Sequence, residues 1–201
     1  MKKFLFVFLF VFLTSNAFSQ YFNTTQISVL MGNRPINERN QNYYDARTEF
    51  FPSVTMTNGI MFNEHWAAGI GVGFEIFDRN LFPVFADIRY TLWDNKISPF
   101  FAFKLGRSFG NFKKKHYDNL SLPHEPYYIN DAYYKKDGGL MLHPEMGVRI
   151  PLSENADLLF TVAYRYQKTK STVSQASGLK TKWEYKESLN RLLFGVGVTF
   201  R

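Results

Sequence analysis

The chain has 201 residues, of which 45% are hydrophobic and 18% aromatic, a length that suits one domain with or without a leader. It contains no cysteine, which excludes disulfides, thiolate metal ligands, a cysteine nucleophile and a lipid-bearing cysteine. The formal net charge of +7 suits anionic partners such as lipid, lipopolysaccharide phosphates or nucleic acid.

Residues 1–19 have the three parts of a secretory signal peptide. Lys2 and Lys3 form the positive start, residues 4–13 are all apolar, and Ala17 and Ser19 place small side chains at the two positions that a signal peptidase reads. A membrane anchor is the alternative, but a helix needs about 20 apolar residues to span hydrocarbon. We therefore predict a cleaved signal peptide, and an exported chain is not expected to meet nucleic acid.

The remaining residues, 20–201, form one predicted domain in which apolar residues alternate with small or polar ones. This period of two recurs in eight segments and predicts eight β-strands. In chain order, their apolar faces hold Ile27, Val29 and Met31; Val54, Met56 and Ile60; Trp66, Ile70, Val72, Phe74 and Ile76; Phe82, Val84, Ile88, Tyr90 and Leu92; Phe101, Phe103 and Leu105; Leu140, Leu142, Met146, Val148 and Ile150; Leu158, Phe160, Val162, Tyr164 and Tyr166; and Leu192, Phe194, Val196, Val198 and Phe200. Pro144, within the sixth segment, predicts a bulge or a later strand start there, because proline removes a ladder hydrogen bond.

The connections between these strands alternate in length. Short, turn-rich links join the second strand to the third, the fourth to the fifth and the sixth to the seventh, at residues 63–65, 94–96 and 151–155. On the other side one link, near 78–80, is short, and three are longer, at about 33–49, 110–137 and 168–187. Short turns at one rim and long loops at the other are typical of transmembrane barrels, with both termini in the periplasm.

The face opposite the apolar one decides between two kinds of barrel. It collects glycines and eight charged residues: Glu75, Asp87, Arg89, Lys104, Glu145, Arg149, Arg165 and Arg191. In a soluble, lipocalin-like binding barrel this face would meet water, where glycine is a poor choice. Eight strands leave an interior that side chains just fill, so glycines beside long charged residues suit a lumen. We predict an all-β, eight-stranded, antiparallel up-and-down transmembrane β-barrel whose lumen holds these residues as a structural polar network, with the soluble barrel as the alternative.

Two segments carry a resemblance to a known group. Residues 66–73, WAAGIGVG, and the closing residues 193–200, LFGVGVTF, resemble strands of the small outer-membrane β-barrel proteins of Gram-negative bacteria, of the OmpA-like and OmpX-like kind. The resemblance implies residence in the bacterial outer membrane, contact with its lipid and lipopolysaccharide, and recognition of the final aromatic strand by the barrel-assembly machinery. Here Phe200 is penultimate, because Arg201 follows it. The group includes anchors, adhesins, immune-evasion proteins and some lipid-modifying enzymes.

Residues that could carry chemistry are few. Gly69, Gly71 and Gly73 resemble a phosphate-binding loop only superficially, because they lie within a predicted strand with no helix after them. No two of the four histidines have metal-ligand spacing on one element. His143 and Glu145 point the same way on one strand and are interpreted as a structural hydrogen-bonded pair. We predict no catalytic residues, no cofactor and no metal site, and hence no enzyme; a lipid-modifying enzyme using this pair is the alternative.

The connection at residues 110–137 is the predicted recognition element. It combines basic and tyrosine residues, which suit contacts with anionic surfaces and with a surface ligand whose identity is unknown. Its candidate residues are Lys113, Lys114, Lys115, Tyr127, Tyr128, Tyr133 and Tyr134. The alternative is that this segment extends the barrel wall and ends in a solvated tip. The sequence thus predicts a non-enzymatic outer-membrane barrel with structural or recognition loops.

Overall fold

The structure, a computed structural model, describes residues 20–33, 48–76, 80–93, 97–110, 115–121, 128–175 and 182–201. Its regular structure there is entirely β. The strands are β1 (Gln20–Asn33), β2 (Thr48–Met61), β3 (Trp66–Glu75), β4 (Phe82–Thr91), β5 (Ser98–Phe109), β6 (Lys115–Ser121), β7 (Tyr128–Asp137), β8 (Leu140–Ser153), β9 (Ala156–Gln175) and β10 (Lys182–Phe200). The predicted signal peptide lies outside the described residues. Among those that are described, there is no helix with the length and apolar character needed to cross a membrane.

Eight of the strands close into a barrel. The antiparallel order is β1-β2-β3-β4-β5-β8-β9-β10, and β10 pairs in turn with β1. Closure satisfies the backbone groups that an edge strand would leave unpaired. The predicted eight-stranded antiparallel barrel is therefore confirmed.

The two ends of the barrel differ. At one end, which we call the turn end, Gln20 pairs with Met61 and Phe200 with Ala156, so both ends of the described barrel lie beside short connections. The turn at 63–65 is held by Asn63, whose Oδ1 accepts hydrogen bonds from the backbone N–H groups of His65 (2.9 Å) and Trp66 (2.8 Å). Glu154 and Asn155 make the turn between β8 and β9. The predicted link at 94–96, residues 78 and 79 of the predicted link near 78–80, and residues 34–47 of the predicted link at 33–49 lie outside the described residues.

The opposite end, which we call the hairpin end, corrects the prediction of a loop at 110–137. Strands β6 and β7 form an antiparallel hairpin within that range, and β7 pairs with the far part of β9, as in Lys135 opposite Thr172. The segment thus extends the barrel wall. Likewise β9 and β10 continue to Gln175 and from Lys182, so they occupy most of the predicted loop at 168–187. For residues 110–137 the extension was the alternative prediction, and for 168–187 it was not predicted, because these segments show no sustained apolar alternation.

The predicted bulge at Pro144 is wrong. The pairs Leu142–Tyr166 and Glu145–Ala163 on either side of it keep one register between β8 and β9. Pro144 is exposed on the outer face and sits opposite Phe103 of β5. The register shift between β8 and β9 lies further on, between Pro151 and Ser153. A proline in a strand can therefore leave the ladder in register while removing only its own donor.

The two faces of the wall are the reverse of those in a water-soluble protein. Large apolar side chains lie outside, such as Ile70 (69% exposed) and Phe101 (51%), whereas charged side chains such as Glu75 (0%) and Arg165 (1%) lie inside. Apolar residues outside and ions inside invert the usual distribution in water. The interior also holds large apolar side chains among its polar ones: Phe22, Leu30, Leu81, Phe85, Phe100, Met141, Leu159, Leu189 and Leu193.

Candidate functional site

The barrel interior is the candidate site, because every charged residue predicted to face it is buried there. All eight are less than a tenth exposed: Glu75, Asp87, Arg89, Lys104, Glu145, Arg149, Arg165 and Arg191. Each projects inward because it lies at alternate positions of its strand with small or polar residues, and side chains at alternate positions share one face. A buried charge is stable only when it is paired and hydrogen-bonded, so the contacts inside the barrel decide what this site can do.

At mid-height, Lys104 of β5 forms an ion pair of 2.7 Å with Glu145 of β8. Gln26 of β1 connects both of them: its Oε1 accepts from Lys104 Nζ at 3.1 Å, and its Nε2 donates to Glu145 Oε2 at 3.2 Å. The same amide nitrogen lies 2.6 Å from Thr161 Oγ1 on β9. One lysine and one carboxylate thus join β1, β5, β8 and β9 across the lumen.

His143 extends this contact toward the hairpin end. Its Nδ1 accepts from Arg165, with Nε at 3.0 Å and an Nη atom at 2.8 Å, and its Nε2 faces Glu145 Oε2 at 3.3 Å. Because Nδ1 accepts hydrogen bonds and Nε2 faces a carboxylate, the ring proton lies on Nε2 and the ring is neutral. Arg165 also forms an ion pair with Glu75 of β3. His143 is therefore held between two ion pairs inside the barrel.

Toward the turn end, a second group of charges involves an acid that the sequence analysis missed. Asp157 on β9 is fully buried, 3.1 Å from the Arg201 guanidinium and 4.0 Å from that of Arg149. Arg149 also donates to the carbonyl oxygen of Trp93 at 2.9 Å. Asp157 lies eight residues before Arg165 on the same strand. Continuing the inward positions of β9 from residue 161 back to 159 and 157 would have placed it inside the barrel.

A third contact connects Arg89 to its surroundings. Its guanidinium lies 3.4 Å from Asp87 and 3.4 Å from Thr24 Oγ1, whose hydroxyl in turn lies 2.7 Å from that of Thr199. Arg89 also lies 5.1 Å from the centre of the Phe100 ring. Such a contact between a cation and an aromatic face is favourable when both groups are desolvated.

Phenylalanine side chains cover the interior glycines. Three cross-strand pairs bring a ring directly against a glycine: Phe22 with Gly59, Phe85 with Gly71, and Phe100 with Gly147. A Cβ added at Gly59 or Gly147 would lie 2.7 Å from the facing ring, and one at Gly71 would overlap the Phe85 ring. Glycine is thus required where a ring lies flat on the wall, an arrangement known as aromatic rescue of glycine.

The hairpin end of the lumen is filled by apolar side chains. Leu30 and Leu193 form one buried cluster, Leu81 and Leu189 form another, and Phe51 packs against both. The Arg191 guanidinium lies 5.8 Å from the centre of the Phe51 ring. The interior therefore holds buried charges along its length, with apolar clusters among them toward the hairpin end.

This arrangement offers little chemistry. The candidate acid–base pair, His143 and Glu145, is 2% and 4% exposed and is hydrogen-bonded to Arg165 and Lys104, so neither group faces a substrate space. Among the residues that the structure describes, no three His, Asp or Glu side chains are grouped as ligands for a metal ion. Gly69, Gly71 and Gly73 lie within strand β3.

The predicted recognition residues are only partly within the described residues. Lys113, Lys114 and Tyr127 lie outside them. Lys115 is on β6 opposite Tyr134 of β7, and Tyr128 opens β7 opposite Ser121. Tyr133, also on β7, is exposed. The structure brings these four residues onto one hairpin beyond the barrel.

Comparison with solved structures identifies the type of barrel. Neisserial surface protein A (NspA) superposes with a TM-score of 0.56 at 11% identity, covering 90% of this chain and 96% of that chain. The outer-membrane protein AlkL, solved in lipid bilayers, gives a TM-score of 0.57 at 12% identity, covering 90% and 89%. The fold is that of the small outer-membrane β-barrels. No family model and no curated protein matches the chain, so the OmpA-like or OmpX-like assignment stays a prediction.

Proposed function

We propose that this chain is an integral protein of the bacterial outer membrane, without enzymatic activity, whose filled barrel carries a hairpin on the outer side for structural or recognition roles. The observation that carries the proposal is the inversion of the wall, with apolar side chains outside and paired charges inside. In water such an exterior would be a large exposed apolar patch, far above what soluble monomers carry. A lipocalin-like barrel would need the opposite arrangement.

Aromatic side chains support the placement in a bilayer. Near the turn end, the rings of Trp66 and Tyr90 lie 4.9 Å apart on the outer wall. Toward the hairpin end, the Tyr164 hydroxyl donates to Asn190 at 2.8 Å, and that of Tyr166 lies 3.3 Å from Ser188. Aromatic girdles at both rims of an apolar band are typical of outer-membrane barrels. The turn end is then periplasmic and the hairpin end extracellular.

The filled lumen supports a structural role over a pore. Buried ion pairs such as Lys104–Glu145 occupy its interior, and the leucine clusters with Phe51 occupy part of it toward the hairpin end. Eight strands leave space only for side chains. Purified protein in a planar bilayer should therefore show no sustained conductance. A stable unitary conductance would contradict the packing described for the lumen.

The extracellular hairpin supports a recognition role. Residues 111–137 combine seven basic or histidine positions and tyrosines with few apolar residues in sequence, and tyrosine is frequent at protein interfaces. We include lipopolysaccharide and an unidentified surface ligand among its partners, and the barrel-assembly machinery as the partner of the strand ending at Phe200. No observation favours the lipid-modifying enzyme, because His143 is enclosed in the barrel.

Deletion of residues 112–136 tests the recognition role. The barrel should stay folded, which is seen as a band that shifts on gels only after heating, because its eight strands do not need β6 or β7. Binding to cells, lipopolysaccharide or extracellular matrix should fall. If the folded variant binds all three as the full chain does, the hairpin has no recognition role. If the full chain is soluble and folded without detergent, the membrane assignment is wrong.

A further inference from the structure

The outer wall has a shallow apolar depression of about 900 Å³ that spans five adjacent strands, β5, β8, β9, β10 and β1. Two rows of outward side chains cross it in register. In one of them Phe101 lies opposite Met146, Met146 opposite Val162, and Val162 opposite Phe194. Each of these four side chains is more than two-fifths exposed. The depression is therefore a surface for apolar chains that approach from outside the barrel.

The inner side of the same wall carries glycines at this height. Behind it, the Phe100 ring lies against Gly147, and Gln26 reaches Thr161 past Gly195. A Cβ added at Gly195 would lie 2.6 Å from Thr161 Oγ1 and 2.7 Å from Gln26 Nε2. Gly147 and Gly195 thus place no side chain of their own behind the wall at this height, and residues of other strands fill the space there.

A row of basic side chains lies above the depression on the same strands. Arg107 of β5 pairs with Leu140 of β8, and the pair Met141–Gln167 places Leu140 beside Lys168 of β9. Arg107 and Lys168 are exposed, and the spacing of neighbouring strands puts them about 10 Å apart. On β10, Ser188 pairs with Lys168, and Lys186 lies two residues further from the turn end. Lys186 is also exposed.

These basic groups lack acidic partners among the described residues. Lys186 stands directly opposite Lys170, a like-charge pair that is unfavourable without a counter-ion. Glu184 lies 2.7 Å from Lys170 and neutralises that lysine. Arg107, Lys168 and Lys186 have no such ion pair in the described part of the chain, so this row can accept an anion.

The height of the row matches the surface of a bilayer. Lys168 follows Val162, and Arg107 follows Phe101, by six residues, which is about 20 Å along a strand and roughly 15 Å along the axis of a tilted barrel. That is about half the thickness of the hydrocarbon core. Tyr166, whose hydroxyl lies 3.3 Å from Ser188, marks the interface just below the row.

We propose that this wall binds a phosphorylated lipid of the outer leaflet, with its phosphate on Arg107, Lys168 and Lys186 and its acyl chains in the depression. The inference rests on the proposed membrane placement. The apolar surface alone would suit any lipid, whereas the basic row selects an anionic headgroup. The ligand is thus recognised at both ends, by charge at the interface and by shape at mid-bilayer.

Binding of bisphosphoryl lipid A to the detergent-folded protein, measured by native mass spectrometry, tests the proposal. The double variant Arg107→Gln/Lys168→Gln should bind at least about tenfold more weakly, because each cation near an anionic interface contributes to binding. Phosphate-free lipid A should bind the unaltered protein as weakly. Val162→Trp, which fills the depression, should also weaken binding of the phosphorylated lipid.

Two controls match these variants. Arg107→Lys/Lys168→Arg keeps both positive charges of the row, and Val72→Trp alters the outer wall on β3, away from the depression. Both should bind within about twofold of the unaltered protein. Equal binding by the double variant, equal loss in the controls, or no effect of removing the phosphates would overturn the proposal. Heat-shifted gel bands for every variant separate this outcome from a failure of the barrel assignment itself.

Discussion

Lys104 and Glu145 lie on the neighbouring strands β5 and β8, and their charged groups are 2.7 Å apart where both side chains are closed to solvent. Removing one partner leaves an uncompensated buried charge, whereas removing both leaves none. The two charges therefore stabilise the lumen mainly because each compensates the other, and not because their attraction is strong.

The double substitution in this pair should cost less than the sum of the two single substitutions. Lys104→Met and Glu145→Gln should each lower the free energy of unfolding by about 3 kcal/mol, and the double variant by less than the sum of the two. Urea-induced unfolding from detergent micelles, followed by tryptophan fluorescence, measures all three. Costs that simply add would show that the two groups do not interact in the folded barrel.

Asp157 should be important for stability although it was not among the predicted lumen residues. Asp157→Asn removes the negative charge beside Arg149 and Arg201 and should cost about 3 kcal/mol in the same unfolding measurement. Asp137→Asn is the matched control, because its ion pair with Lys135 is solvated and should be worth less than about 1 kcal/mol. Equal costs for the two variants would remove Asp157 from the lumen network.

Phe85 should contribute more to stability than Phe82 on the same strand. Phe85 is buried against Gly71, so Phe85→Ala opens a cavity and should cost about 3 to 5 kcal/mol. Phe82 is 43% exposed on the outer wall, and Phe82→Ala should cost clearly less. Unfolding midpoints that fall equally for both variants would contradict the inward orientation of Phe85.

The strand number, faces and closure of the barrel could be predicted from the sequence because the apolar outer wall imposes a period of two. Arg165 and Arg191 were placed inside simply because they alternate with tyrosines and leucines. The same pattern predicted the turn at Asn63 from its polar residues. Within the apolar belt, each outward position must be apolar, and this makes the alternation readable.

Two features lay beyond that pattern for physical reasons. Strands β6 and β7 lie past the belt, where neither face must be apolar, so Lys135 and Asp137 gave no period. Inside the barrel, a ring such as Phe85 can fill the space over a glycine as well as a polar side chain fills it elsewhere. Inward positions are therefore chemically mixed, and their contacts depend on which strands meet, as for Gln26 and Glu145.

Under the proposed membrane placement, the apolar side chains of the wall face lipid, and the side chains that alternate with them face a closed interior. Since the chain has no cysteine, single cysteines can be introduced and spin-labelled at residues 160–164 of β9 in lipid vesicles. Collision with oxygen should be high for labels at Phe160, Val162 and Tyr164 and low at Thr161 and Ala163, with little access of a water-soluble nickel complex to any of them. Loss of this alternation, or access of the nickel complex to Phe160 and Val162, would contradict the account.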